Sequence, residues 1–159
     1  MGLLKGRIED YSSPLAGMPA RLYAGYFFLK FGLHKITTGF DGPTLQKTLS
    51  GWAAEPHYSF YMTFLTKVAM PHAGLFAFLV AFGELAVGVA LLVGAATRLA
   101  AIVGIFMCLN FLFASGTAIV STEGPVIFTL FLITVYATAA GRALGLDQIL
   151  KGRLPRWVA

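Results

Sequence analysis

Long apolar runs broken by short polar stretches make up most of the chain. Four of those runs approach the roughly 20 residues that a helix needs to cross a bilayer core. They predict spans over about 18–36, 73–95, 99–115 and 125–140. Arg98 alone separates the second run from the third, which predicts a tight helical hairpin, and "SGTAIVSTEG" links the third to the fourth. The segment 37–72 between the first two spans is too long for an idle connection. It holds two helix-like stretches, "PTLQKTLSGWAAE" and "YSFYMTFLTKVAMP". In the second, Tyr58, Tyr61, Met62, Phe64, Leu65 and Val68 fall on one side, with Ser59, Thr63, Thr66 and Lys67 on the other, as in an amphipathic helix. With Trp52 close by, the pattern predicts a pair of interfacial helices at the headgroup level, acting either as a lid over one end or as a plain anchor. The expected fold is all-α: one domain, 1–159, forming an integral membrane four-helix bundle with short amphipathic helices between spans one and two.

Composition agrees with that class. Of 159 residues, 57% are hydrophobic and only 12% charged, against roughly a quarter charged in a soluble domain. So much apolar surface points to lipid as a solvent. The twelve basic residues, in a net charge of +5, punctuate apolar runs instead of clustering on one face, which argues against a nucleic-acid partner. No cleavable signal peptide is expected, because Lys5, Arg7, Glu9, Asp10 and Pro14 interrupt the first twenty residues; the first span would act as an uncleaved anchor. One cysteine, Cys108, excludes an internal disulfide or a dithiol relay, and it reads as a small core residue.

The basic residues also predict orientation. With four spans both termini share a side, and that side would hold Lys5, Arg7, Arg21, Arg98, Arg142, Lys151, Arg153 and Arg156; the other would hold only Lys35, Lys47 and Lys67. Both termini are therefore expected in the cytoplasm. The tail 141–159 contains Gly141, Gly145 and Pro155, which predict a kinked amphipathic segment along the cytoplasmic headgroups.

An ionisable residue inside a span is costly enough to mark a candidate functional position. Lys30, His34, Lys35, Glu84 and Asn110 qualify. With Arg21 and Arg98 as boundary markers and about 1.5 Å per residue, Lys30 lies roughly 13 Å up and the other four roughly 18–21 Å up. On the first helix Arg21, Gly25, Phe28, Gly32 and Lys35 share one stripe, while Lys30 and His34 lie nearly opposite. On the second, Glu84 sits within a seam of small residues, Ala77, Ala81, Gly88 and Ala95, which permits close helix approach. A buried carboxylate there needs a cation, and Lys35 fits by depth and face, as a structural ion pair with Glu84. Lys30 and His34, one turn apart, present a polar face to a quinone carbonyl, an acidic partner or another subunit. The candidate catalytic set is thus Lys30, His34 and Glu84, and a candidate quinone pocket is Lys30, His34 and Asn110. His34, His57 and His72 form no metal set, since only His34 lies in a span, and no haem, flavin or metal is expected from this chain alone.

The segments "RLYAGYFFLKFGLHK", "FGELAVGVALLVGAATRLAAIVG" and "GRALGLDQIL" resemble the DoxX/DoxD family of small four-helix membrane proteins. The likeness rests on Arg21, Gly25, Phe28, Gly32 and Lys35, then on Glu84, Gly88, Leu91, Gly94, Thr97, Arg98 and Ala100, and finally on Gly141, Arg142, Gly145, Leu146 and Asp147. "GWAAEPHYSFYMTFLTKVAMP" is similar to the loop of the DoxD-like branch. The resemblance covers about residues 20–150. It implies a multi-pass protein of a prokaryotic plasma membrane, and for the DoxD branch the membrane part of a thiosulfate:quinone oxidoreductase working with a separate subunit. Three functions follow. One is a quinone-linked redox subunit in which Lys30 or His34 stabilises reduced quinone and Glu84 relays protons. Another is a non-catalytic accessory subunit of a larger membrane redox complex. The weakest is a small transporter, for which no discontinuous helix is foreseen.

Overall fold

The computed structural model describes residues 2–54, 58–116, 118, 124–150, 153–155 and 157–158, with side chains from Ser13 onward. His57, Glu123, Lys151, Arg156, the side chains of Lys5 and Arg7, and most of the linker after Gly116 lie outside the described residues. Regular structure among the described residues is helical, with no strand. In chain order the helices are α1 (Gly2–Thr37), α2 (Gly42–Ala54), α3 (Ser59–Phe64), α4 (Ala73–Val93), α5 (Thr97–Ser115), α6 (Gly124–Thr138) and α7 (Leu146–Ile149). A π-helical turn, Leu65–Ala69, continues α3, and a 3-10 turn, Ala140–Arg142, follows α6.

Two helices, α4 and α5, are long and apolar enough to cross a membrane. Longer than either, α1 carries Arg21, Lys30 and Lys35 within its apolar part. Its helix also starts well before the predicted span and runs through Pro14 and Pro19, each of which removes only one intrahelical donor. At 15 residues, α6 is about 22 Å long.

Side-chain size sets how these rods meet. α1 lies against α4 and α6, and α5 lies against the same two, so the four close a ring. Inside it Ala24, Phe28, Leu91, Ala101, Cys108 and Leu132 form one apolar core. The closest approach is α1 on α4: a Cβ on Gly88 would fall 2.3 Å from Leu29 N, and one on Gly32 would fall 2.5 Å from Leu85 N. Only glycine permits those backbones to touch. Outward, Leu75, Phe78, Leu79, Val89, Phe106 and Ile133 are exposed, the surface that lipid would cover.

The described parts of segment 37–72, residues 37–54 and 58–72, fold back over one end of the ring, where Leu45, Leu49, Leu65, Ala69, Ala77 and Ala114 make a second apolar cluster. The expected inward face of α3 differs at one place. Val68 is 41% exposed, whereas Ala69 is buried. The π turn, closed by Met70 N donating to Leu65 O at 2.9 Å, widens the pitch, so the next inward position after Leu65 falls one residue later.

The hairpin between α4 and α5 also corrects the sequence reading. Its connection is Gly94, Ala95 and Ala96, not Arg98, which is the second residue of α5. Gly94 ends α4 with φ of +71°, a left-handed cap that glycine adopts without penalty. Arg98 instead donates from Nε to Tyr136 O at 3.1 Å, tying α5 to α6.

Candidate functional site

Polar side chains gather at two levels. At the end near the α2–α3 segment, α1 presents Lys35 on its buried stripe, and α4 presents Glu84 from its seam of small residues. Lys35 Nζ lies 2.6 Å from Glu84 Oε2; the side chains are 23% and 4% exposed. The Phe31 and Phe40 rings flank the ammonium, each centroid 5.8 Å from Nζ. Beside Lys35 opens a cleft of about 400 Å³, lined by Lys35, Ile36, Phe40, Asp41, Phe78 and Phe82, with Gly42 and Gly74 in its wall; Glu84 does not line it. On the other side of the ring Asn110 bridges α5 to the covering segment. Its Oδ1 accepts from the Tyr61 hydroxyl at 2.6 Å, and its Nδ2 donates to Phe106 O at 2.7 Å. Burial pushes the Tyr61 phenol up to about 12, so it stays protonated and remains the donor.

The remaining sequence candidates lie elsewhere. Lys30 and His34 are exposed on the outer side of α1. The Lys30 ammonium sits over the Phe27 ring, 5.9 Å from its centroid. Among the described residues, no hydrogen bond or ion pair joins Lys30 or His34 to Glu84 or Asn110. The structure therefore brings Glu84 to Lys35 and Asn110 to Tyr61, and leaves Lys30 and His34 outside both pairs. His72 is exposed, with Nδ1 2.9 Å from Val68 O. No group of three metal-ligating side chains occurs among the described residues.

The second level was not recognised as a site in the sequence. Asp147, from α7, is fully buried, and its carboxylate caps α5. It accepts from Ala96 N at 2.7 Å, Thr97 N at 2.9 Å and the Thr97 hydroxyl at 2.6 Å. In return Asp147 N donates to Gly94 O at 2.8 Å. Free N–H groups at a helix start favour such a carboxylate through both hydrogen bonding and the helix dipole. Beside it Arg21, only 2% exposed, donates through one terminal nitrogen to Ala140 O at 2.9 Å and Ala143 O at 3.0 Å. Arg21 is thus an interior clamp and not the surface marker that its position at the start of an apolar run implied. The usable signal was "GRALGLD": small residues just after a span, followed by one acid, at a place where a carboxylate needs donors. These contacts fold the start of the tail under the ring instead of laying it along a surface, while Leu144, Ile149 and Trp157 stay exposed.

Chemically, the interior groups pair within the protein: carboxylate with ammonium, carboxylate with a helix start, one guanidinium nitrogen with carbonyls, amide with phenol; Arg21 Nε is buried without an acceptor among the described residues. Comparison with known proteins adds one finding. A family model described as DoxX matches residues 17–117, a stretch that contains both members of the Lys35–Glu84 pair and ends before Asp147. No curated protein and no solved structure matches the chain.

Proposed function

The chain belongs to the DoxX family, and from that premise we propose that this membrane protein of the DoxX type is an accessory subunit of a larger membrane redox complex. In this proposal α1, α4, α5 and α6 cross a prokaryotic plasma membrane as a four-helix bundle with both termini in the cytoplasm, the side favoured by the basic residues. Segment 37–72 then caps the outer end. The observation that carries the role is the pairing of the interior. Glu84, Asp147, Arg21 and Asn110 are each engaged in joining one element to another, which is what a scaffold requires. A proton relay or a charge-stabilising site, by contrast, needs such groups turned toward a substrate.

A second reading, a quinone-linked oxidoreductase subunit of the thiosulfate:quinone type, is favoured by the cleft beside Lys35. Its volume is within the range of small-molecule sites, and its aromatic walls with one cationic donor suit a flat ring bearing a carbonyl. Lys35, Phe40, Phe78 and Phe82 would hold such a ring. When bound, a quinone supplies an acceptor for two electrons and two protons. The chain's own part would be to orient the carbonyl with a Lys35 N–H and to place the Glu84 carboxylate behind it. Lys30 and His34, candidates in the sequence for that task, would have no part in this cleft.

The two readings part on one measurement: thiosulfate-dependent quinone reduction in membranes containing the chain with and without its co-encoded subunits. The accessory role predicts activity that resides in the other subunits, falls when the chain is deleted, and persists in Glu84→Gln at normal assembly. Activity from the chain with quinone alone, abolished in Glu84→Gln while the complex still assembles, would replace it with the oxidoreductase.

A further inference from the structure

Lys30 makes no hydrogen bond or ion pair among the described residues. It is exposed on α1, its ammonium sits over the Phe27 ring, and the only salt bridge among the described residues joins Lys35 to Glu84. Phe27 lies one turn toward the N-terminus, so the ammonium is drawn down the helix, away from the nearer end of α1 at Thr37. At the level of Phe27 it is about 15 Å from Thr37 and about 14 Å from Met18, where the predicted span begins, along the axis. If α1 spans the bilayer, this ammonium faces hydrocarbon near the middle of the span. A cation so placed is costly unless paired.

We infer that Lys30 and His34 form a docking seam for one transmembrane helix of another subunit, a helix that carries a carboxylate at this depth. The inference rests on the membrane-subunit reading above and names the partner's chemistry. Charge complementarity selects the occupant. The seam offers an ammonium and an imidazole one turn apart, bordered by exposed Tyr26 and Leu33, so it presents donors and apolar surface to a neighbouring rod. A second copy of this chain does not fit. Among its acidic residues with described side chains, Asp41, Glu84 and Asp147, only Glu84 lies within an apolar helix at membrane depth, and Glu84 is buried and already bonded to Lys35. The complement must come from a different polypeptide.

The test uses the full chain in phosphatidylcholine vesicles and a leucine-based transmembrane peptide bearing a single central Glu, Gln or Leu. Both are fluorescently labelled, and association is read by energy transfer. The Glu peptide is expected to associate roughly tenfold more strongly than the Leu peptide, the scale of one polar contact between helices in lipid. Lys30→Met should reduce that preference to the level of the Leu peptide. Lys30→Glu should transfer it to a peptide bearing Lys. Because Lys30 is exposed and makes no hydrogen bond or ion pair among the described residues, both variants should unfold at the same temperature as the parent chain. Equal association of the Glu and Leu peptides, or Glu-peptide binding unchanged in Lys30→Met, overturns the inference. So does energy transfer between differently labelled copies of the chain alone that disappears in Lys30→Met, because the seam would then belong to self-association. None of these results depends on redox activity, so failure here leaves the accessory role to its own assay.

Discussion

The contact between Lys35 and Glu84 makes a quantitative demand on stability. Glu84 is 3% exposed and depends on Lys35 at 2.6 Å as its ion-pair partner. Substituting Lys35→Met removes the cation and leaves a buried carboxyl among Ala81, Gly88 and apolar side chains. Breaking a buried pair from one side costs about 3–5 kcal/mol. The partial exposure of Lys35 means that this pair is not wholly dry, so the lower figure, about 3 kcal/mol, applies. Substituting Glu84→Leu strands the ammonium instead, but its 23% exposure lets it donate to acceptors outside the protein, and about 2 kcal/mol is expected. The double variant Lys35→Met/Glu84→Leu places two apolar chains of similar size where the charges met, beside Phe31 and Phe40. It should lie within about 1 kcal/mol of the parent. The four proteins form a double-mutant cycle with a coupling of at least about 4 kcal/mol. Reversible unfolding in mixed micelles, followed by far-UV circular dichroism, measures each corner. Additive single effects, agreeing within about 0.5 kcal/mol, would refute a direct bond between α1 and α4 at this point.

Further outcomes test other parts of the fold. Gly88→Ala puts a methyl group 2.3 Å from Leu29 N, and forcing α1 from α4 should cost about 1–3 kcal/mol; Gly51→Ala, with nothing within 4 Å, should be neutral or slightly stabilising in the same assay. Asp147→Ala leaves Ala96 N–H, Thr97 N–H and the Thr97 hydroxyl without their acceptor, a loss of about 3 kcal/mol, and amide exchange at Ala96 and Thr97 should speed up while that at Leu91 does not. At the start of α2, hydrogen bonds from the Thr44 hydroxyl and N–H hold the Asp41 carboxyl below its ordinary value. The cap is therefore at full strength above the ordinary carboxylate pKa and is lost as pH falls through the lower folded value. Protection of the Thr44 amide should drop across that acidic window in the parent and stay flat in Asp41→Asn; a flat parent profile would rule the cap out.

Much of the arrangement was legible because lipid and helix geometry impose strict rules. A stripe of Arg21, Gly25, Phe28, Gly32 and Lys35 read at helical spacing turns inward in the structure, with Phe28 at 4% exposure and Arg21 at 2%. Likewise Ala81, Glu84 and Gly88 line the α1 contact, while Ala77, on the same stripe, packs in the cluster under the covering helices. Periodicity decides which residues share a side of a helix, and small residues mark where two helices come close. It does not say how a side chain bends at the end of its reach. Lys30 and Lys35 are both lysines on the same helix, but one meets a carboxylate and the other a phenyl ring.

The sequence by itself determined the class: an all-helical chain with apolar helices, a pair of short helices after the first, and an acid within a small-residue seam. These follow from hydropathy and 3.6-residue spacing, which act locally along the chain. Tertiary structure alone decided which polar groups meet. Asp147 caps a helix fifty residues earlier in the chain, Arg21 reaches carbonyls beyond residue 139, and Tyr61 finds Asn110 across the ring. Such bonds depend on the rotation and depth of one helix against another, set by packing at contacts such as Gly32 and Gly88, and no local pattern encodes them.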